Sequence, residues 1–237
     1  VKNILKSSGY YFADVKTTST LNEEQKEAKS KILKSTITLL AGSAGSGKTL
    51  LACQIALEKL FMRECDKIII TRPTVSKEEI GFLPGDLREK MDPWVQPIYQ
   101  NMYALYDKVK IEKLISDGAI EIVPVSFMRG RTFLDSVVIV DEAQNVTHEQ
   151  MQMIVTRIGL RSKMIVCGDD HQVDLKSKRD SGFRFLYTAA RKIKNMVGIS
   201  LVTNHRDPIV EDLINLYDEA EENGLDLGTS GSSNKRK

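Results

Sequence analysis

Several short segments combine the residue types and spacing that phosphoryl chemistry needs. Gly42-Ser43-Ala44-Gly45-Ser46-Gly47-Lys48-Thr49 fits G-x-x-x-x-G-K-[ST], a loop whose glycines let backbone N–H groups turn inward around phosphates. It follows the apolar run Ile37–Ala41 and opens a helical pattern at Leu50, so the phosphates would also meet the positive end of a helix dipole. In such a loop Lys48 is expected to reach the β- and γ-phosphates of ATP, and the Thr49 hydroxyl to ligate Mg²⁺. The expected nucleotide-binding stretch is therefore Gly42 to Leu50.

Further along, Ser136-Val137-Val138-Ile139-Val140 is an apolar run ending in Asp141-Glu142. Asp141 stands where a Mg²⁺ partner is expected, acting through water, and Glu142 where a base could polarise the attacking water. Phosphoryl transfer depends mostly on positioning and electrostatics, so a base, a cation and a lysine make up its core. A second run, Met164–Cys167, ends in Gly168-Asp169-Asp170-His171-Gln172, and glycine at a strand end lets the chain turn close to a ligand. Gln172 could bond the γ-phosphate or the lytic water. Arg206, just before Asp207-Pro208, could stabilise transition-state charge in cis or across a subunit contact. Arg129-Gly130-Arg131-Thr132 is a compact basic loop, readable as a nucleic-acid contact through Arg129 and Arg131 or as a solvated turn. Asn22, with Gln25 three residues on, has the spacing of a helix capping box, and Gln25 could instead contact adenine.

These residues need a frame that brings strand ends together. Strand patterns fall at Thr36–Ala41, Lys67–Thr71, Ile120–Val123, Ser136–Val140, Lys163–Cys167 and Gly198–Val202. Helical patterns follow most of them. One is Leu50–Met62. A second is Thr147–Ile158, where Thr147 and Gln150 form a capping box and Met151, Ile154, Val155 and Ile158 share a face. A third begins at Asp207-Pro208, an N-cap followed by proline. Strands alternating with helices predict an α/β fold, a mostly parallel sheet flanked by helices. Ligands of such sheets bind beyond the carboxyl ends of the strands, which is where the unusual residues fall.

The bulk properties set limits on function. A chain of 237 residues can bury a full core, and 41% hydrophobic with 28% charged residues is ordinary for a soluble domain. A net charge of +2 makes no global case for nucleic acid, so any such contact needs a local patch. Cys53, Cys65 and Cys167, an odd number without paired spacing, point to reduced thiols and a cytoplasmic location, with Cys53 and Cys167 as core fillers. No run of about 18 apolar residues and no secretory segment is visible, so no membrane association is expected. The expected organisation is a polar lead-in over 1–20, one ATPase domain over 21–222, and a Gly/Ser/Asn-rich disordered tail over 223–237.

From about Leu21 to Asp218 the chain resembles the PhoH-like ATPases, which are related to the superfamily 1 helicase core. The resemblance rests on Gly42–Thr49, Thr71-Arg72-Pro73, Gly81-Phe82-Leu83-Pro84-Gly85-Asp86, Met128-Arg129-Gly130-Arg131-Thr132, Asp141-Glu142-Ala143-Gln144-Asn145, and Gly168-Asp169 with Gln172. It implies a single RecA-like P-loop domain with strand order 5-1-4-3-2, which sets the Gly168 turn between the phosphate loop and Asp141. It also implies adenine reading by Gln25, a finger role for Arg206, and single-stranded RNA or DNA as partner, with Arg72 and Thr74 as backbone contacts. Tyr99, Tyr103 and Tyr106 lie in one helical region as core residues or base-stacking platforms. A superfamily 1 helicase pairs two RecA-like domains, whereas this chain carries one set of ATPase motifs. The resemblance therefore implies a homo-oligomer, a hexameric ring, that supplies the second face of the site. A nucleotide-dependent switch or assembly protein acting on a protein partner is the competing expectation.

Overall fold

The inner strands of this protein alternate between two apolar faces, which is what a parallel sheet covered on both sides requires. The computed structural model describes residues 21–73, 87–169, 172–175 and 177–222. Its strands are β1 (Ile37–Gly42), β2 (Lys67–Thr71), β3 (Ile120–Ile122), β4 (Ser136–Val140), β5 (Lys163–Gly168) and β6 (Met196–Leu201). They form one six-stranded sheet in the order β3-β2-β4-β5-β1-β6, and every pairing is parallel. Apart from the edge strand β3, this is the expected order of a RecA-like core. β5 lies between β1 and β4, so the Gly168 turn sits between the phosphate loop and Asp141.

Residues Leu40, Ile68, Ile70, Ile139, Ile165 and Cys167 face one side of the sheet. There they pack with Ile32 of α1 (Glu23–Lys34), Leu51 and Ile55 of α2 (Lys48–Phe61), Met102 of α3 (Leu87–Leu105) and Leu114 of α4 (Lys108–Ser116). The alternate residues Leu39, Ile69, Val138, Val140, Met164 and Val166 face the other side. They meet Met151 and Ile154 of α5 (His148–Val155) and Phe183 of α6 (Gly182–Ala189). The chain then continues into α7 (Pro208–Glu222). Burial makes β4 and β5 rigid, and both end at the acidic and sensor turns.

Two capping boxes form as their spacing predicts, at Asn22/Gln25 and Thr147/Gln150. Helix α5 is shorter than the expected Thr147–Ile158. After Val155 the chain leaves the helix, because Ile158 bridges to Phe133 and the Gly159 N–H donates to the Phe133 carbonyl at 2.8 Å. Lys163, at the start of β5, donates to the carbonyls of Ile32, Leu33 and Ser35 and so ties the end of α1 to the sheet. Cys53, Cys65 and Cys167 are all buried free thiols. Burial pushes all three thiols up, Cys65 to about 12, so they act as apolar filler rather than nucleophiles. Tyr106 is fully buried against Phe61, with ring centroids 4.8 Å apart, and is core rather than a base platform. Among the described residues, no helix is long and apolar enough to cross a membrane.

Candidate functional site

The carboxyl ends of β1, β4 and β5 open on a cavity of about 570 Å³. Its lining includes Gln25, Ala44, Gly45, Gly47, Lys48, Thr49 and Leu50 from the amino-terminal third of the chain. It also includes Asp141, Glu142, Gly168, Gln172 and Arg206, so most of the residues singled out by type and spacing meet in one place.

The phosphate loop turns through left-handed conformations at Gly45 (φ 88°) and Gly47 (φ 79°). A side chain at Gly45 would come within 2.7 Å of Arg206 Cγ and of Asn204 Oδ1, and one at Gly47 within 2.9 Å of Gln25 Nε2. Glycine is therefore needed twice over, for backbone torsion and for close approach. Gly47 is the N-cap of α2, whose first turn carries Lys48 and Thr49. Lys48 Nζ donates to the carbonyls of Gly42 (2.6 Å) and Ser43 (2.7 Å), which holds the ammonium over the loop.

The two residues expected to hold a cation are neighbours in space. Thr49 Oγ1 donates to Asp141 Oδ1 at 2.7 Å across 92 residues of sequence. Asp141 is 5% exposed; burial raises its carboxyl pKa, and the Thr49 hydroxyl opposes that rise. A cation beside Asp141 would favour the charged form. Among the described residues no group of three or more His, Cys, Asp or Glu side chains is arranged to hold a metal. The pair suits Mg²⁺ all the same, since that ion takes one or two protein oxygens and completes its octahedron with phosphates and water.

Glu142 follows in a left-handed conformation (φ 49°), unusual for a residue with a side chain. Arg72 Nη2, at the end of β2, donates to its Oε1 at 3.4 Å, and Gln144 Nε2 donates to its Oε2 at 2.7 Å. Gln144 is fully buried, and its Oε1 accepts the Asp169 N–H at 3.0 Å. One buried amide thus links the acidic turn of β4 to the sensor turn of β5. Sequence reasoning included Gln144 only as part of a matching segment and gave it no role, because spacing does not reveal burial. Gln172 is exposed, and its N–H reaches the Asp169 carbonyl at 3.2 Å.

The other end of the cavity joins α1 to the segment after β6. Glu24 accepts the N–H groups of Val202 (2.7 Å) and Thr203 (3.1 Å). The His205 N–H donates to the Gly45 carbonyl at 3.1 Å, and His205 Nε2 lies 3.1 Å from Gln25 Nε2. Arg206 packs its methylenes over Gly45 of its own chain. The candidate nucleic-acid residues are more scattered. Arg72 sits beside Glu142, while Arg129 is exposed after β3. Arg131, in the compact basic loop, pairs with both carboxylate oxygens of Glu121 at 2.8 and 2.9 Å and so braces the β3 edge. Thr74, the Gly81–Asp86 segment, Asp170 and His171 lie outside the described residues, as do 1–20 and 223–237.

The family model described as "PhoH-like protein" matches residues 17–218. A PhoH-like protein of Synechocystis sp. is 41% identical over 202 residues, covering 83% of this chain and 61% of that protein. One from Mycobacterium leprae is 40% identical, covering 92% and 64% respectively. The chain thus spans somewhat less than two thirds of the length of these relatives. Among solved structures, the Pif1 helicase from Candida albicans is similar at 17% identity and a TM-score of 0.44, covering 83% of this chain and 44% of that one. With the family model matched over most of its length and relatives about 40% identical, the chain belongs to the PhoH-like family.

Proposed function

We propose that this chain binds ATP with Mg²⁺ and hydrolyses its γ-phosphate, in response to single-stranded RNA or DNA, as a homo-oligomer. The observation that carries the catalytic part is the Thr49–Asp141 hydrogen bond at 2.7 Å beside a Glu142 held by both Arg72 and Gln144. In this reading the loop N–H groups and Lys48 hold the phosphates, and Thr49 and Asp141 hold the cation. Mg²⁺ held by Thr49 and Asp141 would supply positive charge against the phosphates of the nucleotide. Glu142 takes a proton from the attacking water, Gln172 orients that water or the γ-phosphate, and Arg206 acts in cis from above the loop.

Arg72 supports coupling to nucleic acid. It is bonded to Glu142 and stands at the end of β2, where the family resemblance implies contact with a strand backbone. A phosphate that draws Arg72 away would change the setting of the base. Pif1 from Bacteroides, described as bound to ssDNA, is a further structural neighbour at TM-score 0.38, too loose a likeness to add weight. Oligomer formation is supported by α7, where Ile209, Leu213, Leu216 and Tyr217 are exposed at helical spacing and form an apolar stripe suited to a second copy. The same stripe favours the second reading, an ATP-controlled assembly protein that needs no nucleic acid.

The test is steady-state ATP hydrolysis by the 237-residue chain, with and without single-stranded RNA, at two salt concentrations, with Lys48→Ala as the inactive control. Stimulation that fades with salt supports the nucleic-acid reading, since phosphate contacts release counterions. Hydrolysis indifferent to RNA and single-stranded DNA favours the assembly reading. Hydrolysis unchanged in Lys48→Ala removes the site assignment altogether.

A further inference from the structure

The capping box at the start of α1 and the base-reading role of Gln25 are compatible, and a third residue connects them. Asn22 Oδ1 accepts the Gln25 backbone N–H at 2.7 Å, and Gln25 Oε1 accepts the Asn22 backbone N–H at 3.3 Å. A backbone N–H can only donate, so both bonds fix which end of each amide is oxygen. The two amide nitrogens then converge on one atom. Gln25 Nε2 is 3.1 Å and Asn22 Nδ2 is 3.5 Å from His205 Nε2. With donors on both sides, that imidazole nitrogen is the acceptor, and the ring proton sits on Nδ1. His205 is itself held in place, because its backbone N–H donates to the Gly45 carbonyl of the phosphate loop.

Gln25 has two N–H groups and two oxygen lone pairs. With one of each engaged by His205 and Asn22, one donor and one acceptor remain side by side, next to Gly47 at the cavity wall. Adenine presents the complement, an N6 amino donor beside the N7 acceptor. Guanine presents two acceptors, N7 and O6, and its O6 would oppose the amide oxygen. The flipped amide would set its oxygen against N7 and its nitrogen against N6, so adenine is matched only in the orientation that Asn22 and His205 hold, whereas guanine's two acceptors leave one clash in either orientation.

We infer that His205 is a specificity-determining residue: by accepting from Gln25 it locks the carboxamide in the orientation that selects 6-aminopurine over 6-oxopurine nucleotides. This rests on the reading of the cavity as an ATP site with Gln25 at the base. His205 is a positioning residue, since it acts through Gln25 and the capping box. It reaches that position only through the fold, 180 residues from Gln25.

The experiment measures equilibrium binding of fluorescent ATP and GTP analogues to the whole chain and to His205→Leu, His205→Gln and Gln25→Ala. His205 is exposed, so none of its variants should disturb the core. His205→Leu removes the acceptor and is expected to cut the ATP-over-GTP preference about 5- to 10-fold, the scale of one hydrogen bond. His205→Gln keeps an acceptor at similar reach and is expected to restore the preference to within about twofold, a rescue that a merely space-filling role would not give. A preference unchanged in His205→Leu but lost in Gln25→Ala overturns the role of His205 while leaving base reading intact. A preference unchanged in Gln25→Ala overturns base reading itself, and the inference with it. Equal loss in both His205 variants also overturns it, because the acceptor would then not be what matters.

Discussion

The two ends of the cavity are built differently. At the end proposed for the phosphates, short hydrogen bonds pair Thr49 with Asp141 and Gln144 with Glu142, next to β4, which is fully buried, and α2, which is buried beyond its first turn. At the end proposed for the base, Glu24, Gln25 and His205 join a helix start to the segment after an edge strand, and His205 is exposed. Buried Asp141 and Gln144 fix the half-exposed Thr49 and Glu142 side chains beside them, the positional control that general-base catalysis requires. The other end is a seam held by side-chain hydrogen bonds between two chain segments, with buried Gln25 and exposed His205 among them. The phosphate end should therefore control turnover, and the base end affinity and selectivity.

The largest effect should come from the base. Glu142→Gln keeps its shape and its Arg72 neighbour but cannot take a proton, so ATP should bind normally while hydrolysis falls about 100-fold or more. Single-turnover rates beside binding isotherms check this; near-normal turnover would remove Glu142 from its role. Gln144→Leu strips Glu142 of a donor and leaves the Asp169 N–H buried without its acceptor. The expected result is kcat reduced about tenfold and stability lowered by roughly 1–3 kcal/mol, measured by steady-state assay and chemical denaturation. Loss of stability with full kcat would make Gln144 structural only.

Glu24→Ala tests the other end. It releases the Val202 and Thr203 N–H groups and loosens the seam. ATP affinity should fall several-fold, up to about tenfold, with kcat at saturating ATP unchanged. A drop in kcat instead would break the division between the two ends. The smallest effect belongs to a pair remote from both. The hydrogen bond from Arg131 holds the Glu121 carboxyl below its ordinary value, against a smaller rise from burial. A carboxylate lowered in the folded state stabilises above its unfolded value of 4.5 and loses that contribution as pH falls below it. Both side chains are 34% exposed, so Arg131→Ala should cost about 0.2–1 kcal/mol at neutral pH. The cost should vanish in acid melts, with nucleotide binding unaffected; weakened RNA stimulation would instead return Arg131 to the nucleic-acid surface.

Much of this molecule was legible in the residues. All six strands lie within one or two residues of their apolar patterns, and the strand order follows the resemblance with β3 added at the edge. The length of α5 was not legible, because the Ile158–Phe133 bridge that ends it is a contact between distant segments. The pairing of Arg131 with Glu121 was not legible for the same reason. Gly42–Thr49 and Asp141-Glu142 stand out because their chemistry is local: a loop conformation and a strand end each need particular residues in an unbroken row. By itself the sequence determined the sheet, the phosphate loop and the acidic strand end. Only the tertiary structure decided that Gln144 is buried between two turns, that Arg206 covers its own loop, and that His205 faces Gln25. Each of those depends on which strand ends the sheet order makes neighbours, and hydrogen bonds between such ends leave no periodicity or spacing in the chain that makes them.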